Sequence, residues 1–263
     1  MSSEPLSEPL LVLDDVSMHF GGVTALSHVS IHVTDGEIAA LIGPNGAGKT
    51  TIFNVVTGVF HPTEGDIRFA GDSIVGLKRY EVTKAGIART FQNIRLFANM
   101  SALENVMVGA DARHTTSVPG AVLHLRKYGR EEQEGEARAR EFLELVGIPH
   151  RAGDLAKNLP YGDQRRLEIA RALATGPRVL LLDEPAAGFN PAEKRALIAL
   201  IRKVRDTGYT VLLIEHDMGL VMQVSDRIMV LDFGQLIADG RPAEIQSNER
   251  VIAAYLGTPA DAS

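Results

Sequence analysis

The eight-residue run Gly43-Pro44-Asn45-Gly46-Ala47-Gly48-Lys49-Thr50 constrains this chain more than any other stretch, because it fits the phosphate-cradling pattern G-x-x-x-x-G-K-[ST]. Its context is the one such a loop needs. The continuously apolar Ile38–Ile42 reads as a buried strand before it, and Thr51–Val59 reads as a helix after it. Glycines let the backbone approach phosphate oxygens closely, and a helix N-terminus turns N–H groups and a positive dipole end toward them. Lys49 supplies a point charge for β and γ phosphates, Thr50 offers a hydroxyl to Mg²⁺, and Thr51 closes the run of candidate nucleotide contacts. One segment thus predicts a strand, a turn, a helix and a ligand class.

Two further apolar runs, Val179–Leu182 and Val211–Ile214, have the same look of strands covered on both faces. Strands of that kind belong to a parallel sheet with helices against it, whose ligands sit at the carboxyl ends. Val29–Thr34 instead alternates apolar and polar residues, as a strand with one wet face does, and predicts an antiparallel piece. At the carboxyl end of Val179–Leu182 stand two carboxylates, Asp183 and Glu184. Asp183 suits a Mg²⁺ ion bridging phosphates, and Glu184 suits polarising an attacking water as general base.

Between Ser101 and Ala174 the strand signal gives way to helix. Ser101-x-x-Glu104 is a capping box, and Phe142, Leu143, Leu145 and Val146 recur at helical spacing until Gly147. Val118, Ala121, Val122 and Leu125 predict an extra amphipathic helix ahead of the mixed-charge run Arg126–Arg140. The expected organisation is a disordered tail over 1–9 and one domain over 10–263. In that domain an α/β core with a β subdomain occupies about 10–95 and 175–263, and a helical subdomain about 96–174 carries an insert at 111–135.

Composition narrows the function classes. The 263 residues carry 27 basic against 33 acidic side chains, a net charge of −6, which argues against a polybasic nucleic-acid or membrane-surface binder. No apolar run reaches the 18 or more residues of a membrane span, and the absence of cysteine excludes disulfides, thiolate metal sites and cysteine nucleophiles. Met1–Pro9 lacks a basic region followed by an apolar one, so a cytoplasmic setting is expected.

With Leu159-Pro160-Tyr161-Gly162-Asp163-Gln164 ahead of Arg165–Leu173, and Asp183-Glu184-Pro185 beyond it, the chain closely resembles an ATPase of the ABC family over nearly its whole length. The resemblance implies a P-loop NTPase, RecA-like core with an antiparallel β subdomain and an inserted α-helical subdomain, using ATP and Mg²⁺. It implies that Gln92 is the glutamine touching Mg²⁺ and water, that His216 is the switch histidine at the γ-phosphate, and that Phe20 stacks on adenine. It further implies a head-to-tail dimer with a paralogue or a second copy, in which Tyr161 and Gly162 face the partner's nucleotide. Two transmembrane permease subunits, and indirectly a solute-binding protein, complete the implied assembly at the cytoplasmic face of the membrane, without nucleic acid.

Local phrases narrow the resemblance. Phe91–Phe97, Leu103–Val106, Arg165–Arg171, Pro185–Pro191, Ile214–Met218 and Ala254–Gly257 look like the ATP-binding subunits of branched-chain amino-acid importers, in the paralogue carrying the insert. An exporter of lipid or lipopolysaccharide, and more remotely a non-transport ABC ATPase, are the alternatives. Two departures from the family pattern stand out. Pro160 occupies the place of a serine, losing a hydroxyl and an N–H, and Asn190 replaces an aspartate while also suiting a helix N-cap before Pro191.

Overall fold

The computed structural model describes residues 9–111 and 126–256. Strands β1 (Pro9–Phe20), β2 (Val23–Thr34), β4 (Glu64–Phe69) and β5 (Asp72–Ser73) form an antiparallel sheet in the order β2-β1-β4-β5. A second sheet, in the order β10-β9-β3-β8-β7-β6, contains β3 (Ile38–Ile42), β6 (Ile87–Arg89), β7 (Val179–Asp183), β8 (Thr210–Ile214), β9 (Arg227–Asp232) and β10 (Gln235–Gly240). Only β10 runs antiparallel to its neighbour there.

The three continuously apolar runs behave as read: every residue of β3, β7 and β8 is buried. Their period of two divides them between two cores. Ala39, Leu41, Val179, Leu181, Leu212 and Ile214 join the cluster that the antiparallel sheet and helix α1 (Lys49–Val56) cover. Ile38, Ala40, Ile42, Leu180, Leu182, Val211 and Leu213 face the opposite cluster. Among the described residues the remaining α-helices are α2 (Arg79–Ala85), α3 (Ala102–Asp111), α4 (Arg126–Leu145), α5 (Tyr161–Ala174), α6 (Pro191–Asp206), α7 (Met218–Val224), α8 (Pro242–Gln246) and α9 (Glu249–Leu256). Val106 of α3, Leu143 of α4 and Leu167 of α5 pack into that opposite cluster, so the helical region shares a core with the parallel sheet.

Boundaries shift where local geometry overrides pattern. Pro9 belongs to β1, paired with Thr34, and not to a tail; residues 1–8 lie outside the described residues. Helix α1 starts at Lys49, two residues before the expected start, because Gly48 caps it in a left-handed conformation at φ 103°. It ends at Val56, where the Thr57 hydroxyl returns to the Phe53 carbonyl and Gly58 turns the chain at φ 66°. The Ser101–Glu104 box is formed in both directions, with Glu104 accepting from the Ser101 N–H and the Ser101 hydroxyl accepting from the Glu104 N–H. The mixed-charge run is the first part of α4, whereas the expected helix at Val118–Leu125 lies outside the described residues.

Candidate nucleotide site

Register brings the chemistry to one edge. Leu41 of β3 and Asp183 of β7 both pair with Ile214 of β8, so the three strands end level with one another. The segments that leave them there carry the phosphate loop, Glu184 and His216. In the loop, Gly43 is required outright: its φ is 151° and a Cβ would lie 2.1 Å from the Leu231 carbonyl. A Cβ on Gly48 would lie 2.8 Å from the Ala25 carbonyl, so the loop sits directly against β2. Between them Pro44, Asn45, Gly46 and Ala47 form the turn, with the Ala47 N–H donating to the Pro44 carbonyl. The Lys49 ammonium donates to the carbonyls of Gly43 (2.7 Å) and Pro44 (2.9 Å), which folds it over the loop's own backbone. Burial pushes that ammonium below the usual lysine range, opposed by the nearby charge of Glu184. Thr50 and Thr51 fill the first turn of α1.

Glu184 leaves β7 in a left-handed conformation, φ 46°, with its N–H bonded to the Ile214 carbonyl at 3.0 Å. That turn breaks the strand alternation after Asp183. It sets the Glu184 carboxylate against the Gln92 side-chain amide, which donates to Oε2 at 2.7 Å, and 3.7 Å from His216 Nδ1. Gln92 and His216, far from Glu184 in sequence, are both brought to its carboxylate. Asp183 takes a different neighbour, Arg89 of β6, whose guanidinium donates to its Oδ2 at 2.7 Å in a buried ion pair. The oxygen donors offered by Thr50, Asp183 and the Gln92 amide suit a hard cation that completes its shell from phosphate and water, as Mg²⁺ does.

Phe20 and the pair Tyr161–Gly162 lie on other elements. Phe20 ends β1, 41% exposed, with its ring edge-on to Phe60 at 5.1 Å between centroids. Its hairpin continues into β2, where the Ala25 carbonyl would lie 2.8 Å from a Cβ on Gly48. Tyr161 and Gly162 are the first two residues of α5, whose N-cap is Pro160. Asn190 caps α6, accepting from the N–H groups of Ala192 (2.9 Å) and Glu193 (3.0 Å).

Sequence reasoning passed over four side chains around this site: Arg89, Arg165, Glu168 and Glu215, three of them under 5% exposed. Glu215 accepts from the Ala186 N–H at 2.8 Å and from its neighbour His216, bracing the turns on either side of Glu184. The signal that could have found them is a charge set inside an apolar run, as in Leu213-Ile214-Glu215 or Leu167-Glu168-Ile169.

A family profile described as "ABC transporter" matches residues 26–187, more than half of the chain and the whole of the phosphate loop, Gln92, Asp183 and Glu184. The chain belongs to that family. A second profile, described as "Branched-chain amino acid ATP-binding cassette transporter", matches residues 235–261 of this ABC protein. The high-affinity branched-chain amino acid transport ATP-binding protein BraF of Pseudomonas aeruginosa is 46% identical over 96% of this chain and 99% of its own length. LivG of Escherichia coli, with the same description, is 45% identical at the same coverage. Among solved structures, the ADP conformation of MJ1267, an ATP-binding cassette of an ABC transporter, superposes with TM-score 0.83 at 31% identity over 96% of this chain and all of that one. The dimeric structure of MJ0796, a bacterial ABC transporter cassette, gives TM-score 0.74 at 26% identity over 88% of this chain and 98% of that one. The P-loop NTPase fold implied by the residues is thus the fold of this ABC cassette.

Proposed function

We propose that this ABC protein is the ATP-binding and ATP-hydrolysing subunit that powers uptake of branched-chain or other hydrophobic amino acids through separate membrane subunits. The observation that carries the catalytic part is the meeting of Gln92, Glu184 and His216 at the strand edge that also holds the phosphate loop. Glu184 takes the proton of a water that attacks the γ-phosphorus, yielding ADP and phosphate. Gln92 holds one oxygen of that carboxylate and keeps it turned to the water; His216, beside the other oxygen, is placed to bond the γ-phosphate. Lys49 and the backbone of the Gly43–Thr51 loop hold the β and γ phosphates, and Phe20 takes the adenine face. Thr50, Asp183 and Gln92 would hold a Mg²⁺ ion, which would supply neutralisation of charge on the phosphates.

Tyr161 and Gly162 open a 14-residue helix whose first N–H groups have no partner within the helix, and those groups suit the γ-phosphate bound by a second ATPase subunit. That reading supports a head-to-tail dimer of this chain with a paralogue or copy, and the likeness to dimeric MJ0796 agrees with it. Among the described residues no helix is long and apolar enough to cross a membrane, so transport needs separate permease subunits, with a solute-binding protein beyond them. The relatives' shared description and the match over 235–261 favour amino-acid import over lipid export. Co-expression with the neighbouring permease genes, followed by uptake of radiolabelled leucine into cells, tests the reading. ATP-dependent leucine accumulation lost in Lys49→Ala is expected; accumulation unaffected by that change contradicts it.

A further inference from the structure

Two buried side chains on one face of α5 hold the backbone on which Gln92 is mounted. Arg165, 4% exposed, donates from one nitrogen to the Phe91 carbonyl at 2.8 Å and from another to the Gln92 carbonyl. Glu168, 2% exposed and one turn along the helix, accepts from the N–H groups of Phe91 and Arg95, each at 3.4 Å. The two side chains also pair with each other at 3.4 Å. Donors and acceptors of the 91–95 segment are therefore gripped from both sides by a single ion pair. The Arg165 guanidinium reaches the Tyr161 hydroxyl as well, at 2.9 Å, so the grip continues to the first turn of its own helix. The Gln92 side chain then donates to Glu184.

We infer that Arg165 and Glu168 are positioning residues, which fix Gln92 against Glu184 from the helix that presents Tyr161 and Gly162. The inference rests on the reading of Gln92, Glu184 and the α5 N-terminus given above. Its physical basis is geometric. A segment between β6 and α3 has no ladder of its own to hold it, and a side-chain amide can aim at a carboxylate only if its backbone is fixed. A guanidinium spans several acceptors with a rigid fork, which one ammonium cannot do. The arrangement also connects the first turn of α5 with the segment that carries Gln92. The first turn of α5 and Gln92 share one guanidinium, so a displacement of either is felt by the other within this chain.

Hydrogen exchange of the full-length chain, read by mass spectrometry over residues 90–96, tests this directly. The variant Arg165→Met/Glu168→Leu replaces the pair with apolar side chains, so that neither member of the pair is left without the other. Exchange over 90–96 should speed by about tenfold, the lower end for loss of hydrogen bonds to a charged group, while β8 keeps its parental protection. Arg165→Lys is the conservative partner: it keeps the charge beside Glu168 without the fork, so it should melt close to the parent yet still exchange faster over 90–96. In the assembled transporter, the double variant should bind ATP with parental affinity and turn it over about tenfold more slowly. Parental exchange over 90–96 in both variants would overturn the inference. A parent chain that binds no ATP would overturn the functional reading instead, with the exchange result still deciding the grip on the 91–95 segment.

Discussion

Arg89 and Asp183 form an ion pair at 2.7 Å with both side chains less than a tenth exposed, joining the strand that leads to Gln92 to the strand that leads to Glu184. The same guanidinium donates to Asn54 Oδ1 of α1 at 2.8 Å and lies over the rings of Phe53 and Phe91. Three elements around the phosphate site thus share one cation. Removing it leaves Asp183 buried and unpaired, which costs about 3–5 kcal/mol. Arg89→Ala should lower the urea midpoint accordingly, and Arg89→Lys should recover only part of the loss because it cannot fork between Asp183 and Asn54. A parental midpoint in Arg89→Ala would contradict this.

Glu215 gives the site a pH signature. Burial raises its carboxyl above the usual glutamate range, against N–H bonds from Ala186, His216 and Asp217 that lower it. The folded chain therefore holds this proton at pH values where the unfolded chain has released it. Stability falls as pH rises from about 4.3, the unfolded value, through the raised folded value. Glu215→Gln cannot titrate. Denaturation of both chains across this range should show the parent losing stability relative to Glu215→Gln as pH climbs; a constant difference would show that Glu215 titrates alike in both states.

What was legible in the sequence, and what was not, follows from the range of each interaction. The phosphate loop, the buried strands and the Ser101–Glu104 box are set by neighbours within a few residues, and pattern finds them. Glu184 was read from its place at the end of a buried strand, whereas Gln92 and His216 came from a resemblance, since nothing local says that residues 92 and 184 touch. Arg89, Arg165, Glu168 and Glu215 were passed over because a charge inside an apolar run, the one local sign they leave, names no partner. Only the tertiary pairing makes it a buried charge with a partner. The early start of α1 was hidden for another reason: a left-handed Gly48 serves at once as loop residue and helix cap.

Pro160 offers a functional asymmetry. It caps α5 without any side-chain hydrogen bond, where a serine would add a hydroxyl toward the partner's γ-phosphate. If this chain pairs with a paralogue, the site made by the paralogue's phosphate loop and residues 159–164 here should be the weaker of the two. One charge-assisted hydrogen bond, about 1.5–3 kcal/mol, corresponds to a tenfold to hundredfold difference. With this chain's own site silenced by Glu184→Gln, Pro160→Ser should raise the remaining turnover. Equal rates with and without Pro160→Ser would leave the proline a neutral substitution.

If Glu184 acts on water while the phosphate loop binds nucleotide, binding and turnover must separate when Glu184 alone is altered. ATP affinity and single-site turnover measured on Glu184→Gln in the assembled transporter test it most directly, with Lys49→Ala as the binding-deficient reference. The expected result is parental ATP affinity with turnover reduced by about 10²–10⁴-fold, the range for loss of a general base, and weak binding in Lys49→Ala. Parental turnover in Glu184→Gln would contradict the assignment.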